Sequence, residues 1–386
     1  MASSVLADNA SRPLADIMPA GLLGMALQGG ATALYGPILP YIAAEAGQPV
    51  ANAGLLITLH WLGFLLSTAV VNGLARRFGF RRGLMTGGAL IGLGVLGIAG
   101  LPFPANLGAA LPIGFGAGLI EVLFNRLVEG LAGDQPAAAL NRLHSTWGLG
   151  AVAIPLAVAG ALTAGLDWRL AGLLLAAVAA GEVLLIGQWR RAYAEADPPP
   201  AGPALPAGAV WRSVGLLLLM FVVYAGLETA VGGWVTTYFT GLGQGSAWGA
   251  VATAFFFLTF TAGRLILAPF VDRLGFARTV RLGTGLGAVA LLLTLSPSLA
   301  FFGFGLSGIT YSVIFPTMLA WGARQHPTLR AQMASWSIAA AGLGGTALPY
   351  LMGWGVERGG LSALPVMLIA TSLLILSLSF FKPASA

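Results

Sequence analysis

Residues Asp272–Arg278 have the sequence DRLGFAR, and residues Arg76–Arg82, 196 positions earlier, have the sequence RRFGFRR. A second pair of segments has nearly the same spacing, since GLGGTALP at Gly342–Pro349 follows GLGAVAIP at Gly148–Pro155 by 194 positions. All four segments occupy matching places in the order of long apolar runs. Two matches at nearly one offset predict that the second half of the chain repeats the first.

The composition indicates that the apolar runs lie in a membrane. Of the 386 residues, 57% are hydrophobic and only 8% are charged, whereas a soluble domain has about 25% charged residues. The mean hydropathy is +0.87. The chain has no cysteine, which excludes disulfides, thiolate metal sites and cysteine nucleophiles. We therefore expect an all-α polytopic membrane protein.

A helix that crosses the hydrocarbon core needs about 20 apolar residues, and the chain offers twelve such runs. The expected spans are residues 17–43, 50–75, 83–101, 106–132, 140–165, 169–189, 213–240, 247–271, 279–297, 299–322, 331–356 and 360–381. Residues 1–16 and 382–386 are expected to be short cytoplasmic tails. The proline-rich segment 190–212 is too polar to span and too short to fold alone. It is therefore expected to link two pseudo-symmetric six-helix halves, residues 17–189 and 213–381.

The cationic residues between spans predict the orientation. The net charge is +6, but its short arginine clusters do not form a nucleic-acid footprint. One side of the expected topology carries only Arg169 and Arg358. The opposite, arginine-rich side carries Arg12, Arg76, Arg77, Arg81, Arg82, Arg142, Arg190, Arg191, Arg212, Arg273, Arg278, Arg281, Arg324, Arg330 and Lys382. By the positive-inside rule, both termini face the cytoplasm of a multi-pass inner-membrane protein.

These features together resemble the major facilitator superfamily: a D-R-x-G-x-x-R element between spans 8 and 9, its degenerate copy between spans 2 and 3, twelve spans and a central linker. A finer resemblance is to the fucose:proton symporter family and related sugar transporters. It rests on GLIEVLFN in span 4, LNRLHSTWGLGA opening span 5, and YAGLETAVGGWVTTY in span 7. The resemblance implies transport by rocking of two halves around a midplane site. Span 1 has no acid near Gln28, so it offers no proton-coupling carboxyl of its own.

Ionisable side chains inside the spans are the candidates for function, because such groups are costly in lipid. Glu121 and Asn125 lie one helical turn apart near the middle of span 4, with Glu121 as the proton-coupling candidate and His144 as a relay. Structural roles within the helix bundle are the alternatives. We expect Gln28, Glu121, Asn125 and Glu228 to line one central cavity.

Aromatic and amide groups complete the predicted substrate site. Flat aromatic faces can support the C–H face of a sugar, while carboxylates and amides bind its hydroxyls. The candidate substrate-binding residues are Gln28, Asn125, Asn141, Trp147, Tyr224, Glu228, Trp234, Tyr311 and Trp336. Core packing is the alternative for Tyr311 and Trp336. Glu182 in span 6 is a weaker intramembrane candidate.

The two turn motifs predict an asymmetric cytoplasmic gate. Asp272 and the adjacent Arg273 belong to the second-half turn, and Asp272 is expected to approach Arg142 at the start of span 5, where an arginine and a helix N-terminus both favour a carboxylate. Local pairing of Asp272 with Arg273 or Arg264 is the alternative.

The leading hypothesis is a non-enzymatic secondary transporter for a small polar solute, with a monosaccharide favoured and a proton or sodium as coupling ion. The alternatives are an exporter of hydrophobic compounds with the same fold, and a membrane-embedded enzyme or lipid-handling receptor. A GxxxxGK[ST] phosphate loop and metal-ligand spacing are both absent. We expect no cofactor, no metal, no nucleic acid and a monomer in the lipid bilayer.

Overall fold

The computed structural model describes residues 2–132, 136–189 and 209–381. Within these ranges the chain forms helices and no strand. The predicted linker falls mostly outside the described residues, as does the C-terminal tail, and the domain boundaries therefore stay predictions. The predicted N-terminal tail is helical from Ala2 onward.

The α-helices follow one another with short connections. Their bounds are α1 Ala2–Ala46, α2 Val50–Ala53, α3 Leu55–Gly100, α4 Ala105–Leu131, α5 Pro136–His144, α6 Trp147–Thr163, α7 Arg169–Gly187, α8 Ala209–Gly241, α9 Ser246–Leu274, α10 Phe276–Leu292, α11 Ala300–Tyr311, α12 Ile314–Gln325, α13 Arg330–Gly359 and α14 Ala363–Leu378. Short 3-10 turns at Leu293–Leu295 and Pro327–Leu329 complete the described part.

Helix lengths account for twelve crossings. In the described ranges, nine helical segments are long and apolar enough to cross a membrane, and one of them, Val50–Gly100, has 51 residues. At 1.5 Å per residue that segment is more than twice the thickness of a hydrocarbon core of about 30 Å. It bends at Gly79 (φ 79°, ψ 162°) into two crossings. With α13 and α14, the twelve-helix prediction is confirmed.

Each of α5–α6 and α11–α12 forms one crossing that is broken in the middle. The first break lies at Ser145–Thr146 and the second at Ser312–Val313. A broken helix frees backbone carbonyls, which in a membrane must find other donors. Discontinuous helices are therefore the places where a membrane transporter places polar groups.

The chain divides into two compact units. Unit 1 contains Met1–Tyr35 and Leu59–Pro198, and unit 2 contains Gly36–Thr58 and Pro199–Ala386. The turn motifs have the same backbone in both units, because Gly79 and Gly275 take φ values of 79° and 77°. Glycine adopts this positive φ without the steric penalty of a side chain.

The second repeated motif also has the same role in each unit. The third residue of GLGAVAIP, Gly150 of α6, lies so close to α1 that an added Cβ would overlap the carbonyl oxygen of Ala26. The third residue of GLGGTALP, Gly344 of α13, would overlap the carbonyl oxygen of Val222 in α8 in the same way. Small residues let membrane helices approach this closely. Each unit therefore contains the same close contact between two helix backbones, which we call the helix crossing.

A third correspondence involves arginines that follow the turn motifs. Arg81 donates from Nε to the carbonyl of Ile186 at 3.2 Å and from Nη2 to the carbonyl of Gly187, at the end of α7. In unit 2, Arg281 donates from Nη2 to the carbonyl of Ser379 at 2.9 Å, after the end of α14. Cations are favoured at helix C-termini, where carbonyls lack intrahelical partners.

Candidate functional site

Unit 1 brings three of the predicted residues together. Glu121 and Asn125 lie one turn apart on α4, and Asn125 donates from Nδ2 to Oε1 of Glu121 at 3.1 Å. His144 lies with Nε2 2.9 Å from Oδ1 of Asn125 and 3.9 Å from Oε1 of Glu121. The amide therefore bridges a carboxyl and an imidazole. We call these three residues the carboxyl–amide–imidazole cluster.

The break between α5 and α6 positions His144. Ser145 donates its hydroxyl to the carbonyl of Arg142 at 2.7 Å. Thr146 donates to the carbonyl of Leu22 in α1 at 2.7 Å. The first bond satisfies a carbonyl at the end of α5, and the second attaches the break to α1, so α5 can end at His144 with its imidazole beside α4.

The carboxyl–amide–imidazole cluster is accessible from outside the protein interior. The side chains of Glu121 and His144 are 17% and 34% exposed. Neither titratable side chain is therefore fully enclosed by the protein.

The remaining site candidates of unit 1 differ in burial. Gln28 is buried, and its Oε1 has no hydrogen-bond partner among the described residues. Asn141 and Arg142 are exposed, and Trp147 is half-buried. An unpaired amide oxygen in an apolar setting is costly, which makes Gln28 available to a ligand that donates a hydrogen bond.

Unit 2 has its own polar cluster at the break between α11 and α12. Tyr224 donates its hydroxyl to the carbonyl of Tyr311 at 2.6 Å. Arg264 donates from Nε to the carbonyl of Ser312 at 3.2 Å, and its guanidinium lies 5.0 Å from the centre of the Phe260 ring. Both carbonyls belong to the broken segment. Side chains from α8 and α9 therefore satisfy the backbone that the break exposes.

Glu228 lies within this second cluster. It follows Tyr224 by one turn of α8, and Tyr224 and Arg264 are the groups that interact with it electrostatically. We call Tyr224, Glu228 and Arg264 the helix-break cluster. Sequence reasoning selected Tyr224 and Glu228 but gave Arg264 no role in the site. The missed signal is an arginine well inside the apolar span 247–271, where a charge is rare unless it has a partner.

The other aromatic candidates of unit 2 have structural contacts. Trp234 is fully buried and donates its indole N–H to the carbonyl of Pro349 at 3.1 Å. Tyr311 is also fully buried and donates its hydroxyl to Ser372 at 2.9 Å. Trp336 is half-buried, with its ring centre 5.7 Å from that of Trp211. Substrate contact by Trp234 or Tyr311 would therefore require rearrangement of α8, α11 or α13.

Asp272 borders a cavity of about 340 Å³ in unit 2. The cavity is lined by Val271, Asp272, Gly275, Phe276, Trp321, Arg324 and Gln325. Within the described part of its own unit, Asp272 has no ion pair or hydrogen bond. The guanidinium of neighbouring Arg273 lies 5.9 Å from the centre of the Phe270 ring. The predicted contact of Asp272 with Arg142 stays a prediction, as does the shared cavity of Gln28, Glu121, Asn125 and Glu228.

Comparison with known proteins identifies the class. Residues 21–257 match the family model of the Major Facilitator Superfamily. The chain is 26% identical over 364 residues to an uncharacterized MFS-type transporter of Yersinia pestis, covering 92% of each protein. The class is therefore a multi-pass membrane transporter, and the chain belongs to the Major Facilitator Superfamily.

Solved structures share the fold at low sequence identity. A crystal structure of the nucleoside transporter NupG matches with a TM-score of 0.75 at 12% identity, over 96% of this chain and 99% of that one. A crystal structure of a D-xylose-proton symporter matches with a TM-score of 0.74 at 14% identity, over 94% and 97% of the two chains. A POT family transporter in complex with 5-aminolevulinic acid has a TM-score of 0.73 at 14% identity, over 95% of each chain.

Proposed function

We propose that this transporter moves a small polar solute, with a monosaccharide favoured, by proton-coupled alternating access. The observation that carries the proposal is the carboxyl–amide–imidazole cluster of unit 1. It joins two titratable side chains through one amide, and both titratable groups are partly exposed.

The amide of Asn125 makes the cluster sensitive to protonation. When Glu121 is ionised, it accepts from Nδ2, and Oδ1 accepts from the Nε2–H of His144. When Glu121 is protonated, its O–H donates, so the amide must rotate to present Oδ1 to it. Nδ2 then donates to an unprotonated Nε2 of His144. Protonation of Glu121 thereby changes the hydrogen bond of His144, which lies next to the break between α5 and α6.

Solute binding is proposed for polar and aromatic groups of both units. Gln28 offers an unpaired amide oxygen, and Asn141 and Trp147 follow on α5 and α6. In unit 2, Glu228 and Tyr224 offer oxygen atoms and Trp336 an aromatic face. Such a set suits a ring with several hydroxyls. The D-xylose-proton symporter and the nucleoside transporter with the same fold handle solutes of comparable polarity.

Two other functions are less well supported. An exporter of hydrophobic compounds would have an apolar and aromatic site, whereas both clusters here are rich in hydrogen-bonding groups. A membrane-embedded enzyme or lipid-handling receptor would need a catalytic cluster at the interface, and the family is one of transporters. We therefore propose no enzymatic activity.

The location and the gate complete the proposal. The arginine-rich ends of the helices face the cytoplasm, both termini are cytoplasmic, and the membrane is the inner one. Asp272, with Arg273 beside it, approaches Arg142 when the cytoplasmic side closes. This ion pair stabilises the outward-facing state.

The test is uptake by purified protein in liposomes, with and without an inward proton gradient. The panel contains neutral hexoses and pentoses, a nucleoside and a hydrophobic cationic dye. Saturable uptake of a sugar that rises with the gradient is the expected result. Transport of the dye alone would establish the hydrophobic exporter instead, and sugar uptake that responds only to sodium would overturn proton coupling.

A further inference from the structure

Glu182 of α7 is a carboxyl for which the proposed function has no use. Its exposed fraction is 0%, and neither Oε1 nor Oε2 has a hydrogen-bond partner among the described residues. An unpaired ionised carboxylate is strongly disfavoured in an apolar interior. The carboxyl is therefore neutral in this conformation, with a proton bound.

Two glycines make the space that holds this carboxyl. A Cβ added at Gly24 of α1 would lie 2.5 Å from Oε1 of Glu182, and one added at Gly88 of α3 would lie 2.7 Å from Oε2. The Gly24 side of the space is closed by Phe124 and Ile120 of α4. The carboxyl is thus enclosed by three helices of its own unit. We call this enclosure the glycine notch.

Among the described residues, neither a hydrogen bond nor an ion pair compensates Glu182. Gly24 of α1 and Gly88 of α3 lie against the two carboxyl oxygens, and Phe124 and Ile120 of α4 lie beside Gly24. Arg81, at the same end of α7, donates to the carbonyls of Ile186 and Gly187 instead. A bound proton therefore compensates the buried carboxyl.

The repeat shows that the fold does not need an acid in this place. In unit 2 the sequence of α14 contains no acidic residue. In the matched helix contacts Ala26 corresponds to Val222, so Gly24 corresponds to Met220, a buried apolar residue. The second unit thus has an apolar side chain in the place of Gly24. Glu182 is an addition specific to unit 1.

We propose that Glu182 is a second proton-binding site, closed by the glycine notch in the conformation described here and opened when α7 separates from α1 and α3. On opening, water reaches the carboxyl, its O–H bond breaks, the proton passes to water and the carboxylate keeps the negative charge. Reclosure requires a proton from water. This inference rests on the proposed function, because it predicts one additional proton moved with each solute molecule.

Infrared spectroscopy of the purified protein in lipid nanodiscs tests the bound proton without any transport. The difference spectrum between wild type and Glu182→Gln at neutral pH should contain the carbonyl band of one protonated carboxyl, with a deuterium shift in D2O. The matched control is Glu129→Gln, an exposed acid of α4, which should leave that band unchanged. Coincident wild-type and Glu182→Gln spectra would overturn the inference.

Proton counting in liposomes tests release during transport. Glu182→Gln should move one proton fewer per solute than wild type, while Glu129→Gln keeps the wild-type ratio; an unchanged ratio in Glu182→Gln overturns the inference. If Glu182→Gln does not fold, Gly88→Ala substitutes for it, because its methyl group displaces Oε2 and should shift the carbonyl band. Failure of the proposed function has a different signature, since Glu121→Gln would then still accumulate solute.

Discussion

Each unit has a polar cluster beside a break in a membrane helix, but the two clusters form hydrogen bonds with different kinds of group. In unit 1, the hydrogen bonds of the carboxyl–amide–imidazole cluster join its own side chains. A backbone carbonyl near the break, that of Arg142, accepts from the hydroxyl of Ser145 instead. The helix-break cluster of unit 2 instead donates to the carbonyls of Tyr311 and Ser312. A cluster that holds no backbone can change protonation without loss of structure. The comparison therefore supports the proposal that the coupling proton binds in unit 1, whereas the cluster of unit 2 anchors a broken helix.

The largest contrast is expected between the carboxyls of the two clusters. Glu121→Gln should abolish accumulation of solute against a gradient, because the amide cannot take up or release the coupling proton, while equilibrium exchange continues. Glu228→Gln, the matched change in unit 2, should keep a proton-dependent accumulation. Uptake and counterflow in liposomes measure both. Accumulation that survives in Glu121→Gln and fails in Glu228→Gln would reverse the assignment.

The anchoring role of unit 2 predicts a large loss of stability on removal of Arg264. Arg264→Leu should lower the free energy of unfolding by about 3 kcal/mol, because it leaves the Ser312 carbonyl without its donor and removes the positive charge that acts on Glu228. The double variant with Glu228→Leu should recover part of that loss. Denaturation in detergent checks this, with exposed Arg278→Leu as the control, expected to change stability by less than about 0.5 kcal/mol. Equal stability of Arg264→Leu and wild type would contradict an anchoring role of Arg264.

A smaller effect isolates one hydrogen bond of the same anchor. Tyr224→Phe removes the donor to the buried Tyr311 carbonyl, and the unpaired carbonyl should cost about 1–3 kcal/mol. The change keeps the ring and its packing. Tyr350→Phe, an exposed tyrosine of α13, should be neutral in the same unfolding experiment. If uptake by Tyr224→Phe no longer depended on the proton gradient while its stability stayed unchanged, the result would indicate that the coupling proton binds in unit 2.

The gate predicts a modest shift of conformation. Asp272→Asn should raise the inward-open population by at most about five-fold, because an exposed ion pair contributes about 1 kcal/mol or less. Distance labels across the arginine-rich ends measure this population. Arg142→Gln should give the same shift, and the double variant no further one. Unchanged distances in both single variants would reject the ion pair.

The smallest expected effect compares the histidines of the two units. Ser213 and Nε2 of His326 lie 3.0 Å apart, and burial lowers the pKa of His326 from its ordinary 6.5. The pKa of His326 is lower in the folded state than in the unfolded state, so the unfolded state binds a proton more readily. The free energy of unfolding is therefore highest above pH 6.5 and decreases as the pH falls below it. The loss should stay below about 1 kcal/mol, since the group is partly exposed. His326→Gln should remove it without changing the pH profile of uptake, whereas His144→Gln should shift that profile.

Most of the fold could be predicted because hydropathy and repetition are properties of the chain itself. The predicted span 213–240 corresponds to α8 at Ala209–Gly241, and the glycines of both turn motifs adopt the same φ. The N-terminal tail differs in one respect. Hydropathy marks where apolar residues begin, near residue 17, but the helix begins at Ala2, because polar residues can continue a helix outside the apolar layer.

The site was less predictable because its contacts join distant segments. Glu121 and Asn125 could be paired from their four-residue spacing, and His144 was selected by type, although its distance to Asn125 could not be known. The break at Ser312–Val313 depends on donors from α8 and α9, which no local pattern reveals. Arg264 appeared to be a possible partner of Asp272, since its true acceptor, a freed carbonyl, exists only once α11 is broken.

The paired glycines at positions 150 and 344 also bear on how this transporter can be engineered. At each of them a single methyl group would overlap a carbonyl of the partner helix, so a mutational library should contain almost no functional substitution there. Gly108 and Gly160 have no atom within 4 Å of an added Cβ and lie in α4 and α6, where alanine favours the helix by about 1 kcal/mol. Directed evolution for thermal tolerance can therefore begin at these two open glycines while both crossings are kept fixed.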